Sequence, residues 1–312
     1  MARAGRRGRE RARGSRSSSR SGVVARRRFG GILALALLLW LALSGGPTEG
    51  PLDPAAFANG SCVAFAPTAG DRGETVFLDA GHGGLDPGGI GTTESGQAIE
   101  EARLTLPIEL DAMALLRADG YRVVVSRTAN TTVLRLGAAD VADGELTLLG
   151  VHDDVAARAQ CANLAGAKAL VGIYFDASSA SNEGSLTAYD PSRSFSAASH
   201  RLATLIQDDV LGAMNAHGWD IPDDGVQADS GLGSSDGNPA AGGLAALAGE
   251  YDHLLLLGPA MHGFFSTPSE MPGAVIEPLY ITDPFEGSIA ASADGQEVIA
   301  RGIASAIERF LE

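Results

Sequence analysis

From Thr75 to the end of the chain, short apolar runs alternate with longer amphipathic ones, and this alternation restricts the fold more than any other feature of the sequence. TVFLDA (75–80), YRVVVS (121–126), ALVGIYF (169–175), SLTAY (185–189), HLLLL (253–257) and AVIEPLYI (274–281) have the length and β-branched content of buried strands. Between and after them, residues 100–118, about 153–167, 196–217 and 296–311 carry apolar positions at helical spacing. Pro107 is discordant in the first helix and should kink it or mark its true start, and Gly120 closes it as a C-cap would. Strands alternating with helices predict an α/β fold, a mostly parallel twisted sheet with helices on both faces. Residues 221–249, rich in Asp, Gly, Ser and Ala, read as a long functional or mobile loop.

The N-terminal quarter is of another kind. Eleven Arg fall in the first 28 positions beside a single acid, Glu10, while residues 29–312 hold 12 bases against 37 acids, a formal −25. So acidic a body excludes nucleic-acid binding through phosphate neutralisation. The apolar run from Ile32 to Leu43, preceded by Arg26, Arg27 and Arg28, reads instead as an export signal or membrane anchor, with Ala42-Leu43-Ser44 a small-x-small cleavage site. The division expected is a basic cytoplasmic head (1–28), a signal or membrane segment (29–46), a Gly/Pro-rich linker (47–73) and one domain (74–312). Export would carry Cys62 and Cys161 into an oxidising compartment, where an even count without CxxC spacing suggests one long-range disulfide; the alternative is two buried thiols.

The first strand runs into LDAGHGGLDPGG, where Asp79, His82 and Asp86 stand among glycines. Sites form at the carboxyl edge of open α/β sheets, and a Gly-dense turn there lets an imidazole project into a cleft, so His82 is a candidate metal ligand. Glu277, between Ile276 and Pro278 in an apolar setting, is either a general base or a paired core charge. His152, His200, His217 and His253 have no partner at metal-ligand spacing and read as surface or capping residues.

The same string resembles the opening motif of zinc-dependent N-acetylmuramoyl-L-alanine amidases of the third amidase family. EARLTL places Glu101 where that family has its ligand Glu, and GYRVVVSR (120–127), Arg158 with Ala162 and Asn163, and GAVIEPLYITDPFE (273–286) resemble further family motifs in the same order. The resemblance implies Zn2+ on His82 and Glu101, Glu277 as catalytic base, peptidoglycan as substrate and the cell envelope as the place of action. It departs where the family carries a second ligand His: here Tyr174 stands at that position and Asp176 at that of a following Asn. A catalytic zinc needs three protein donors and an open position. Tyr174 as phenolate, a displaced Asp176, or His262 from GPAMHGFF could each complete the set; otherwise the protein is an inactive amidase-fold module that binds peptidoglycan or an envelope partner. A third reading is a different metal-dependent amide hydrolase at the same sheet edge.

Overall fold

The computed structural model describes residues 48–232 and 243–312; the apolar run expected to direct export and the basic head before it lie outside them. Its centre is an eight-stranded sheet in the order β1-β2-β6-β3-β9-β12-β10-β11. The strands are β1 (Thr48–Pro51), β2 (Ser61–Phe65), β3 (Thr75–Ala80), β6 (Arg122–Arg127), β9 (Ala169–Ile173), β10 (Ser185–Tyr189), β11 (Asp223–Ala228) and β12 (Gly273–Glu277). Two small hairpins, β4 (Ile90–Thr92) with β5 (Ala98–Glu100) and β7 (Val141–Ala142) with β8 (Glu145–Leu146), lie beside it. β6, β3, β9 and β12 run parallel; β10 turns antiparallel to β12, and β11 follows β10 in parallel. The helices are α1 (Glu101–Ala118), α2 (Leu148–Ala165), α3 (Ser196–His217), α4 (Gly243–Glu250), α5 (Pro284–Ala290) and α6 (Ala293–Leu311).

Alternation along the central strands divides the core in two, as a sheet covered on both faces requires. Val76, Leu78, Val123, Val125, Val171, Ile173 and Ile276 face α1, α3 and α6, whereas Phe77, Val124, Leu170 and Val275 face the side of α2. Among the described residues no helix is long and apolar enough to cross a membrane.

Four expectations are corrected. Residues 47–73 are no linker, for they contribute β1 and β2, and β2 pairs antiparallel with β6. Its Cys62, Val63, Ala64 and Phe65 are all buried, so the Gly/Pro-rich stretches around it are turns that punctuate strands. Of the two roles expected for Pro107, kinking α1 or starting it, the second is excluded, for Pro107 sits inside α1, where the burial of Leu104, Thr105 and Ile108 outweighs the lost backbone bond. Residues 253–257 form a turn, not a strand: Leu254 N–H donates to Asp229, and Leu256 and Leu257 are buried on the α2 side. Within residues 221–249, which read as loop, stand β11 and α4. Cys62 and Cys161 do form a disulfide, with Cα atoms 5.7 Å apart, tying β2, the second strand of the sheet, to α2.

Candidate functional site

The glycine-rich loop after β3 and the start of α1 are built as one unit. α1 has no side-chain N-cap; its first N–H groups donate to the loop, Glu101 N to Gly89 O and Ala102 N to Pro87 O. This satisfies donors that a helix start leaves open and fixes Glu101 against the loop that carries His82. His82 itself has φ +59°, a left-handed conformation costly for a side chain with a Cβ and maintained only by its surroundings. Arg127 and Arg158 supply them: their guanidiniums, both buried, donate to the carbonyls of Ala80 and Gly81, and of Ala80 and His82 respectively.

His82 is held at both ring nitrogens. Nδ1 lies 2.8 Å from Asp86 Oδ2, and Nε2 lies 3.2 Å from Glu101 Oε2. Asp86 is steadied by the Gly88 N–H, and Glu101 accepts from Gly89 N–H and Phe175 N–H. A Cβ at Gly88 would come within 2.5 Å of the His82 ring and 2.8 Å of Glu101 Oε2, so this approach needs glycine. Burial alone would lower the His82 pKa, but the charge of Glu101 and the hydrogen bonds to Asp86 and Glu101 outweigh it and push the value up to about 10.

Glu277 ends β12 and joins this group from the neighbouring strand. Burial, then the charges of Asp176 and Glu101, push its pKa up to about 8, and it is hydrogen-bonded to Asp176. His82, Glu101 and Glu277 therefore meet at one carboxyl edge of the parallel strands, where such folds place their sites.

Tyr174 does not complete a zinc set. Its hydroxyl donates to Asp79 Oδ2 at 3.0 Å, while Arg158 holds Asp79 Oδ1 at 2.8 Å. Burial, followed by the charge of Asp79, drives the phenol pKa well above its usual range, so the hydroxyl keeps its proton and spends it on Asp79. The ring lies against Gly81, where a Cβ would stand 2.5 Å from it. Asp176 is turned to Glu277 and Tyr280, and His262 is exposed on a separate surface depression. Among the described residues the group of His and acidic side chains close enough in threes to share an ion is Asp190, Asp229 and His253. His82 and Glu101 thus offer two donors where a catalytic zinc needs three, and the residues present do not fit the metal.

Two features escaped the sequence. Asp79 is the anchor of Tyr174, which a motif reading cannot reveal because the pairing spans 95 positions. His253, read as a surface or capping residue, is instead hydrogen-bonded to Asp229, itself fully buried. His82, Tyr174, Glu277 and His253 all line a cavity of about 490 Å3 whose other walls are mostly apolar, Val155, Leu256 and Val275 among them.

A Gly-rich loop carrying His82 thus stands with Glu101 at the carboxyl edge of an α/β sheet, beside Glu277, a carboxyl group of raised pKa. The profile of the N-acetylmuramoyl-L-alanine amidase family matches residues 76–309, three quarters of the sequence, and the chain belongs to that family. Its fold is similar to that of the N-acetylmuramoyl-L-alanine amidase AmiC2 of Nostoc punctiforme, with 20% identity and a TM-score of 0.51 over 78% of this chain and 99% of that one. The catalytic domain of CwlV, an amidase from Bacillus (Paenibacillus) polymyxa var. colistinus, gives 22% and 0.51 over 76% and 98%. The CwlD amidase of Clostridioides difficile, solved in complex with the GerS lipoprotein, gives 18% and 0.54 over 76% and 98%. No curated protein matches the chain by sequence.

Proposed function

We propose that the chain is an exported peptidoglycan amidase that takes the amide between N-acetylmuramic acid and L-alanine beside Glu277, and that the Asp176–Glu277 pair carries the protons. The observation behind this reading is that pair, hydrogen-bonded at the edge of the sheet within the field of His82 and Glu101. Family membership supports the substrate class, and the Arg-led apolar run before residue 47 supports export, either membrane-anchored or secreted. No step is assigned to zinc, because the donors present do not fit it.

Two close carboxyl groups resist double ionisation, and Glu277, pushed up to about 8, keeps its proton near neutral pH. Water adds to the amide carbon and gives a proton to the Asp176 carboxylate, while protonated Glu277 gives its proton to the leaving nitrogen as the carbon–nitrogen bond breaks. The products are the lactyl carboxyl group and the free amine of alanine. Proton return from Asp176 to Glu277 along their hydrogen bond restores the pair. His82, charged between Glu101 and Asp86, is the cation close enough to lower the Glu277 pKa and lies where negative charge develops.

A second reading is favoured by Tyr174, whose hydroxyl is committed to Asp79: the module binds peptidoglycan without cleaving it. Purified full-length protein incubated with peptidoglycan decides between them. New alanine amino termini that form in the presence of a chelator and disappear in Glu277→Gln support hydrolysis. Co-sedimentation with peptidoglycan without new termini supports the binding module, and neither binding nor cleavage refutes both.

A further inference from the structure

Asp190 follows the last residue of β10 and Asp229 the last residue of β11. These strands are parallel neighbours with Tyr189 opposite Ala228, so the two carboxylates emerge side by side. His253, after α4, completes the group: its Nδ1 is 3.0 Å from Asp229 Oδ1 and 3.9 Å from Asp190 Oδ1. One donor atom of each residue lies within 4.8 Å of the others. Asp229 is fully buried and Asp190 2% exposed.

The hydrogen bonds of the group are incomplete. Asp229 Oδ2 accepts from Leu254 N–H and Asp190 Oδ1 from Ser192 N–H, but Asp190 Oδ2, buried, has no partner. A buried charged acceptor without a partner is strongly disfavoured. Arg193 does not relieve it, since its guanidinium donates to the carbonyls of Leu257 and Ser269. One imidazole also cannot balance two carboxylates. A divalent cation would supply both the missing partner and the missing charge. One nitrogen and two carboxylate donors suit zinc, whereas calcium and magnesium ask for more oxygens or retained waters.

We propose that Asp190, Asp229 and His253 form a zinc site, independent of the His82 region, which ties the turn after α4 to the ends of β10 and β11. Because β10 is antiparallel to β12, with Leu186 opposite Glu277, Asp190 stands four residues further along, about 13 Å in strand rise from the Glu277 level. The site therefore shares no ligand with the proposed hydrolytic pair, and neither depends on the other. His253 lines the cavity, so the ion fastens one of its walls.

The test uses full-length protein, stripped with a chelator and titrated with zinc against a chromophoric competitor. Wild type and His82→Ala should each take up one equivalent at this site. Asp190→Asn and His253→Gln should weaken it by more than the ~10–100-fold typical of losing an outer-shell partner. Zinc should raise the melting temperature of His82→Ala and leave that of folded Asp190→Asn unchanged. His253→Gln, at a partly exposed position, serves if Asp190→Asn does not fold. Loss of all zinc binding in His82→Ala, undiminished binding in both ligand variants, or no zinc uptake by wild type would each overturn the proposal.

Discussion

Replacing Tyr174 by His tests the donor argument directly. Tetrahedral zinc with bonds of about 2.1 Å sets neighbouring donors about 3.4 Å apart. His82 Nε2 and Glu101 Oε2 already stand 3.2 Å apart, so two corners are preset. An imidazole at 174 is shorter than the phenol and releases Asp79, and because the Tyr174 ring meets that of His82 edge-on with centroids 5.4 Å apart, it would stand beside the two preset donors as the third. A third donor should tighten zinc binding by at least ~100-fold, about 2.7 kcal/mol. The cost falls on the apo protein. Asp79 Oδ2 loses its partner while fully buried, which costs about 1–3 kcal/mol even though Arg158 keeps Oδ1. Tyr174→His should therefore unfold at lower urea than wild type without metal, and recover about 2.7 kcal/mol when zinc is held at 100 times its dissociation constant. Competition titration in an Asp190→Asn background isolates this site, and adding His82→Ala should abolish the gain. The reasoning fails if wild type in that background already binds one zinc as tightly as Tyr174→His, or if the gain survives His82→Ala.

Glu277→Gln should eliminate release of alanine amino termini, and wild-type activity should fall as the pH rises through about 8, because Glu277 then loses the proton it donates. Removing the Cys62–Cys161 bridge by double Ala substitution frees a loop spanning 99 positions and should cost of order ~4–5 kcal/mol in urea unfolding; a change below 1 kcal/mol would contradict this. Glu109, fully buried with Oε2 unpartnered, is raised by burial from 4.5 to about 7. The fold thus favours its protonated form, and its contribution is full below 4.5 and lost as pH rises through 7, about 3 kcal/mol at most. Glu109→Gln should flatten urea stability between pH 5 and 8, and an unchanged slope would refute the assignment. A reporter fused after Pro47 should appear outside the cytoplasmic membrane, and retention inside would refute export.

Central strands and helices were legible because burial on both faces leaves continuous apolar runs: 75–80, 185–189 and 196–217 coincide with β3, β10 and α3. The strands toward the N-terminal side of the sheet were less so. β2 is five residues set between Gly/Pro-rich turns, and its strand identity comes from pairing with β6, a partner about 60 positions away. HLLLL has the composition of a strand, but Asp229 holds the His253 ring at Nδ1 and accepts from the Leu254 N–H, and turns the chain. At the site, the Gly-dense turn brought out His82, and the family resemblance brought out Glu101 and the departure at Tyr174. The partners of these residues, Asp79 for Tyr174 and Asp176 for Glu277, depend on strand order, which spacing does not encode.

The exchange of imidazole for phenol is coherent with the charges around it. Glu101, Asp86, Asp176 and Glu277 crowd one edge of the sheet, and in a zinc site a dication would offset them. With two donors and no third, the compensation comes from protons. His82 is held charged up to about pH 10, and Glu277 keeps its proton up to about 8. Two bound protons supply the positive charge that the ion would bring. The phenol contributes none, and its own hydrogen goes to Asp79, completing the Arg158–Asp79 pair on the α2 side of β3 and β9. Rebuilding the third donor must then reverse this uptake. Zinc entering Tyr174→His near pH 7 should expel the His82 proton and depress the Glu277 pKa, releasing between one and two protons per ion in weakly buffered solution. Zinc uptake at that site without proton release would mean that His82 and Glu277 were not carrying the compensating charge.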